Sequence, residues 1–370
     1  MPAHNPSRLH IASTLLIPIL LSFGMALAYV GGSHKPSPHH LPVAVVAASP
    51  ASQVLAQRIA DQTTGSFDVR TVATVEQAKA LVTNATVAAA YLPDPSDATI
   101  FTASANSATA ADAGSTLFEH VADTQKQYVA HTDLKPLPSG DPQGVALFFL
   151  LVALTVGAYT LPIALANAPM RLRSRIGLAI GITGVLALFA TIVVDPVYSA
   201  VIGHAPAIFG LYWLYAAGVS FIGLGLHAFL GRFTAVAMTS LFVMLNVPST
   251  GGVFDVHLQP PFFAALHSFW PGAAAYDAGR SVAYAAPGGI AGPIRVLVLW
   301  ALAGLVLTGL GRLWQNHASA AAVSTASTPA APVQAELTAP SELAAPSKSA
   351  SPSELTESAA DEELELTPTA

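Results

Sequence analysis

Six apolar segments, spaced one and then five, decide what this chain can fold into. One lies near the N-terminus; a polar stretch of about 110 residues follows, and five more come in close succession. A hydrocarbon core of about 30 Å takes roughly 20 apolar residues as helix, because no water inside it can satisfy an open backbone. The spans read as Ile11 to Val30, Gly144 to Leu165, Ile176 to Val194, Ala207 to Leu230, Phe233 to Val247 and Ile294 to Leu313. The fifth has only about 15 residues and needs a local explanation. The expected fold class is an α-helical polytopic membrane protein, six transmembrane helices in a one-plus-five layout, with an extracytoplasmic α/β domain between helices one and two. Its divisions are 1–31, 32–143, 144–313 and a tail at 314–370.

Composition agrees: of 370 residues, 10% are charged and 53% hydrophobic, a membrane profile. The net charge of −6 comes from the segment Glu336 to Ala370, which holds eight acidic residues and one lysine. Everything before it is near neutral, so no nucleic-acid surface is expected. Cysteine is absent, which excludes disulfides and thiolate chemistry.

Arginines fix the orientation. Arg171, Arg173 and Arg175 lie between spans two and three, Arg232 between four and five, Arg312 after six and Arg8 before one. All fall on one side, which the positive-inside rule assigns to the cytoplasm of a bacterial cell membrane. Both termini are then inside and residues 32–143 outside. Arg295 is the exception, placed to snorkel at the outer end of span six. Ala26-Leu27-Ala28 also resembles a signal cleavage site, although the apolar run is long for a signal peptide. Pro18 and Pro162 interrupt spans one and two as packed kinks.

The polar stretch alternates strand and helix in the order βαβαββα. Pro42 to Ala48 reads as a strand, Pro50 to Gln62 as a helix, and Phe67 to Ala73 as a strand. A helix capped by Thr74 runs to Val82. Val87 to Leu92 and Ala98 to Ala103 are strands, and Ala108 to Tyr128 is a long helix returning toward span two. Alternation of this kind predicts a mainly parallel sheet. No catalytic motif, paired carboxylate or P-loop occurs, so the chain is read as no enzyme, without cofactor or metal. His34, His39 and His40 read as linker histidines rather than ligands. Asp195 and His227 are the two candidates for an ion-coupling residue in the spans, too few for a proton-driven carrier.

The fifth span ends in Asn246-Val247-Pro248-Ser249-Thr250-Gly251-Gly252, turn residues set directly against an apolar run. Beyond it, 248–292 is too interrupted by proline to span, yet carries Phe254, Phe262, Phe263, Phe269 and Trp270. Aromatic residues among polar ones favour the interface. The segment is expected to form one or two short helices lying at, or dipping into, the outer surface, and a broken helix at depth accounts for the short fifth span. Phe262, Phe263, Phe269, Trp270, Tyr276, Asp277 and Arg280 form a candidate outer gate, with a structural cap an equal reading. Asp277 and Arg280, three residues apart, are spaced to pair on one helix face.

The layout, the PVAVV start of the outward domain, the N-x-P-S-[ST]-G-G break (Asn246, Pro248, Ser249, Thr250, Gly251, Gly252) and the aromatic loop resemble the type-2 ABC exporter permeases. The YhgE/Pip (phage-infection protein) group is the most similar branch. The resemblance covers about residues 9 to 313. It implies a permease unit, normally a homodimer in the lipid bilayer, moving hydrophobic or amphiphilic compounds outward with a separate ABC ATPase. Arg171, Arg173 and Arg175 are the candidate cytoplasmic docking loop, and that surface is small. The alternative function is a non-transporting scaffold or surface receptor acting through the outward domain. The tail after Trp314 reads as disordered.

Overall fold

The computed structural model describes residues 8–95, 97–284 and 289–326. The acidic segment expected to be disordered lies outside the described residues from 327 onward. Helix α1 (Arg8–Ser33) leads into an α/β domain: β1 (Leu41–Val46), α2 (Pro50–Gln62), β2 (Phe67–Val72), α3 (Val75–Thr83), β3 (Ala89–Leu92), β4 (Asp97–Thr102), α4 (Ala108–Gln125) and β5 (Tyr128–Asp133). The sheet order is β2-β1-β3-β4-β5. Every pairing is parallel except β3 with β4, so the mainly parallel sheet is observed. A fifth strand is added where the sequence suggested only the end of a helix.

The domain is a three-layer sandwich because successive side chains of β1 point to opposite faces. Val43 and Val45 pack with Ala56 and Ile59 of α2 and Phe118 of α4. Ala44 and Val46 pack on the other face with Ala78 and Val82 of α3. Helix α2 starts where the sequence places it, since Ser49 and Ser52 form a reciprocal capping box and Pro50 supplies a preset φ.

Five helical segments are long and apolar enough to cross a membrane: Leu16–Ser33, Ala146–Ala166, Leu172–Val197, Ala205–Leu245 and Ala291–His317. They contain α1, α5 (Ala146–Ala166), α6 (Leu172–Ile192, extended by a π-turn at Val193–Val197), α7 (Ala205–Leu230), α8 (Thr234–Thr239, extended as π-helix through Ser240–Leu245) and the first part of α11 (Ala291–Ala326). Spans four and five of the sequence reading are thus one apolar segment of 41 residues. That segment is bent back on itself at Gly231, which takes a positive φ of 51°, a conformation glycine adopts at little steric cost. Contacts on both sides of the bend show the reversal: His227 meets Thr234 at 3.2 Å, and Tyr215 meets Asn246 at 3.0 Å.

Helices α5 and α7 form the centre, with Leu147, Leu151, Leu154, Tyr212, Tyr215 and Ile222 in one buried cluster. The glycines of α7 and α11 let the two backbones close together, as expected for helix packing in lipid. A Cβ on Gly304 would meet the Ile222 backbone at 2.7 Å, and one on Gly225 would meet Leu307. Gly177 and Gly181 of α6 have nothing within 4 Å, so close packing does not explain them. Helix α11 runs to Ala326, 12 residues beyond Trp314 where a tail was expected to begin. Alanine-rich sequence past the apolar stretch sustains it.

Candidate functional site

The segment after α8 does not continue as helix. At Asn246-Val247-Pro248 the chain enters a 3₁₀ turn, Pro248–Thr250, and Gly251 takes φ +76°. A second turn, Val256–Leu258, then leads to α9 (Pro261–His267) and α10 (Pro271–Ala283). The three polar side chains of the motif, Asn246, Ser249 and Thr250, are all buried.

Asn246 organises the break. Its Nδ2 donates to the Tyr215 hydroxyl at 3.0 Å, and its Oδ1 accepts the backbone N–H of Gly272 at 2.8 Å. Tyr215 in turn donates to Thr155 Oγ1 at 2.6 Å, and Thr155 donates to the Leu151 carbonyl. One amide therefore joins α7, α5 and the first turn of α10. Gly272 is required at that contact, since a Cβ there would fall 2.2 Å from Asn246 Oδ1.

The geometry also gives the depth of the loop. Tyr215 lies ten residues into α7, about 15 Å along the helix axis from its start. Trp300, nine residues into α11, donates from Nε1 to the Phe269 carbonyl at 2.9 Å. The junction of α9 and α10 thus reaches the middle of the bundle, and α10 rises from there to the start of α5. A dipping loop was the sequence expectation, and it explains why the preceding leg is short.

At its other end α10 is tied to the α/β domain. Arg280 donates to the Ala105 carbonyl at 2.7 Å and to the Tyr276 hydroxyl at 3.0 Å, and its guanidinium lies over the Tyr276 and Tyr284 rings. Tyr284 donates to Asp141, which also accepts the N–H groups of Val145 and Ala146 at the start of α5. The pairing expected between Asp277 and Arg280 is not what forms. Asp277 instead meets His267 Nε2 at 3.0 Å, and His267 Nδ1 meets the Ser249 carbonyl at 3.0 Å. Asp277 finds its partner ten residues back within the loop and Arg280 finds the Ala105 carbonyl in the domain, so i,i+3 spacing alone could not decide the pairing.

The aromatic set divides by exposure. Phe263, Trp270 and Tyr276 are buried anchors, whereas Phe262 and Phe269 are 60% and 50% exposed. Phe263 lies close to Gly32 of α1, and Trp270 packs edge-on against Trp300.

A second contact with the domain forms at Asp255 and His257. Asp255 N–H donates to Thr109 Oγ1 at 3.0 Å, His39 N–H donates to the His257 carbonyl at 2.8 Å, and the two side chains pair at 2.9 Å. Hydrogen bonding to Asp255 raises the His257 pKa above 6.5; burial opposes this, and the charges of Asp255 and Asp68 reinforce it. Burial lifts the Asp255 carboxyl, but hydrogen bonds from His257 and Ser107 and the His257 charge bring it below 3.8.

Two apolar cavities flank α5. One of about 330 Å³ lies between α1, α5 and the break, walled by Tyr29, Phe148, Val152, Pro248, Phe254 and Gln259. Gln259 Nε2 donates to the Pro248 and Phe254 carbonyls, which fixes its amide orientation, and its buried Oε1 has no partner among the described residues. The other, about 570 Å³, lies between α5 and α6 near Asp141 and Tyr198. At the opposite end of the bundle, Arg171, Arg173 and Arg175 line a cavity together with Arg312 and His227. Among the described residues no cluster of three or more His, Asp or Glu suited to a metal ion occurs. His40 pairs with Asp68 at 3.0 Å instead.

Tyr215, Thr155, Asp141, Tyr284 and His267 were not singled out in the sequence as site residues. Asp141 alone had a usable signal, a capping residue before a long apolar run.

Residues 10–167 match the family model described as ABC-2 family transporter protein. The match takes in α1, the α/β domain and α5, and it ends before the Asn246 break and the loop. No curated protein matches the chain. Together with the five apolar helices, the match supports a multi-pass membrane protein.

Proposed function

We propose that this protein is the permease subunit of a type-2 ABC exporter, moving hydrophobic or amphiphilic compounds outward with energy from a separate ATPase. The observation that carries the reading is the match of residues 10–167 to the ABC-2 transporter family. It takes in helix, domain and helix together, rather than an apolar segment that many membrane proteins share. Within that family the Asn246 to Gly252 break and the aromatic loop favour the YhgE/Pip group. Gly231 makes the sixth crossing, the arginine end faces the cytoplasm, and the α/β domain is outside.

In this reading the loop is the outer gate. Helix α10 closes the bundle from above, and Arg280 couples it to the domain. The cavity beside Gln259 presents an apolar wall and one amide oxygen free to accept a hydrogen bond. That combination suits an amphiphile with a hydroxyl or amine next to a hydrocarbon body. The chain has no P-loop, so hydrolysis belongs to the partner, which meets the arginine end of a homodimer.

The test is to purify the tagged full chain from its native membrane and identify what accompanies it. A P-loop ATPase in fixed proportion, with ATP hydrolysis stimulated by amphiphiles, is the expected result. Recovery of the chain without any nucleotide-binding subunit, from cells whose efflux of amphiphiles is unchanged by its deletion, would sink the proposal.

A further inference from the structure

Every acidic residue before Glu336 lies between Asp61 and Asp141 or at Asp195, Asp255 and Asp277. All of these belong to the domain or to the domain-side end of the bundle. Among the described residues, the opposite end therefore carries cations with no carboxylate among them. Four of them, Arg171, Arg173, Arg175 and Arg312, wall one cavity of about 1000 Å³ between the end of α5, the start of α6, the end of α7 and the middle of α11. Among the described residues none of the four has a carboxylate within ion-pair distance. Clustered cations of one sign repel one another and raise the local potential strongly.

Two further features of this cavity point to a ligand. Arg175 donates from one terminal nitrogen to the Ala168 carbonyl at 3.0 Å, but its Nε is buried without a hydrogen-bond partner. A buried guanidinium N–H left unmade is costly, and an oxyanion is the acceptor it matches. The 21-residue helix α6 also starts here, at Arg171, with no side-chain cap. Its first-turn amides and the positive end of its dipole are thus available at the same place.

From this we propose that the cavity is a binding site for a phosphate group, held by the Arg175 and Arg171 guanidinium forks and the start of α6. Planar forks with several donors suit a phosphate's oxygens better than a point charge does. Two sources share this chemistry, the headgroup of an anionic phospholipid and a soluble phosphate. The site lies beyond the proposed transport role and does not depend on it.

Arg232 provides the control. It sits at the same end of the bundle, packs over the Phe233 ring, and is not a wall residue of the cavity. The experiment titrates the detergent-solubilised full chain with short-chain phosphatidylglycerol, with short-chain phosphatidylcholine and with inorganic phosphate, reading occupancy by native mass spectrometry. Phosphatidylglycerol is expected to bind about tenfold tighter than phosphatidylcholine. Arg175→Gln is expected to erase the preference. The double variant Arg171→Gln, Arg173→Gln changes only exposed side chains; it serves if Arg175→Gln fails to fold, and is expected to weaken binding about tenfold. Arg232→Gln is expected to leave it unchanged. Displacement of the lipid by inorganic phosphate assigns the site to the phosphate group alone; resistance to displacement assigns it to the lipid. Equal affinity for the two lipids with no phosphate binding overturns the proposal. So does an Arg232→Gln variant that loses as much as the double variant, since general surface charge would then explain the preference.

Discussion

Asn246 is completely buried and both ends of its amide are in use, one holding the Tyr215 hydroxyl and the other the Gly272 N–H. Removing the side chain leaves a donor and an acceptor facing each other's absence inside the bundle, so Asn246→Ala is expected to destabilise the protein by about 2 kcal/mol. Asn246→Asp keeps the acceptor for Gly272 but buries a carboxylate, and is expected to fall further. Thermal unfolding in detergent checks the order; an aspartate variant as stable as wild type would show that the break tolerates charge. A second residue-scale expectation concerns pH. His257 has a raised folded pKa, so its pairing with Asp255 contributes fully below about 6.5 and is lost as pH rises through the raised value. Asp255 has a lowered one, so its contribution is present above 3.8 and is lost as pH falls through the depressed value. The contact between loop and domain is therefore firmest between those limits. Unfolding midpoints measured from about pH 6 to pH 8.5 should decline, and His257→Gln should flatten the decline; an unchanged slope in that variant would assign the effect elsewhere.

Among the elements, α5 depends on one side chain at its start. Asp141 is 4% exposed and accepts from Val145, Ala146 and Tyr284. Asp141→Ala removes a helix cap and leaves a buried hydroxyl unpaired, an expected loss of about 3 kcal/mol, measurable as a drop of several degrees in Tm. Tyr284→Phe should lose less, because the cap survives; equal losses would mean that the cap contributes nothing. How well each element could be read from the sequence follows from where its determinants sit. Helix α2 carries its own cap, its proline and its apolar spacing, and the residues read for it are the ones observed. Strand β5 has the sequence YVAHTD and is almost wholly exposed, so no buried alternation marks it, and its pairing with β4 supplies the definition instead. The loop was legible as a break because Pro248 and the glycines are local signals. Its wiring was not, since Asn246 finds partners 26 and 31 residues away, and Arg280 reaches Ala105, 175 residues back.

For the whole molecule, the decisive quantity is how many times the chain crosses. The helices alternate direction: the end of α5, the start of α6, the end of α7 and the middle of α11 converge on the arginine cavity, while the starts of α5 and α7 lie toward the domain. If the leg after Gly231 is a sixth crossing, Arg232 and the α/β domain must be on opposite sides of the membrane. Because the chain contains no cysteine, single cysteines report this without background. Asp61→Cys, on the exposed side of α2, should react with a membrane-impermeant maleimide in intact cells. Ser174→Cys, beside the arginine cavity, and Arg232→Cys, at the bend, should react only after permeabilisation. The leg from Thr234 to Leu245 is 12 residues, about 18 Å as regular helix, and is too short to cross a core of about 30 Å by itself. The buried 3₁₀ turn and α10 must complete that path, with their backbone groups covered by α5 and α7 rather than by lipid. Labelling of Arg232→Cys and of Ala291→Cys, at the exposed start of α11, from the same side would leave the leg as a hairpin that enters and returns, with five crossings and the two termini separated by the membrane. Labelling from opposite sides makes the Asn246 break the point where a crossing ends inside the bundle and the outer loop finishes it.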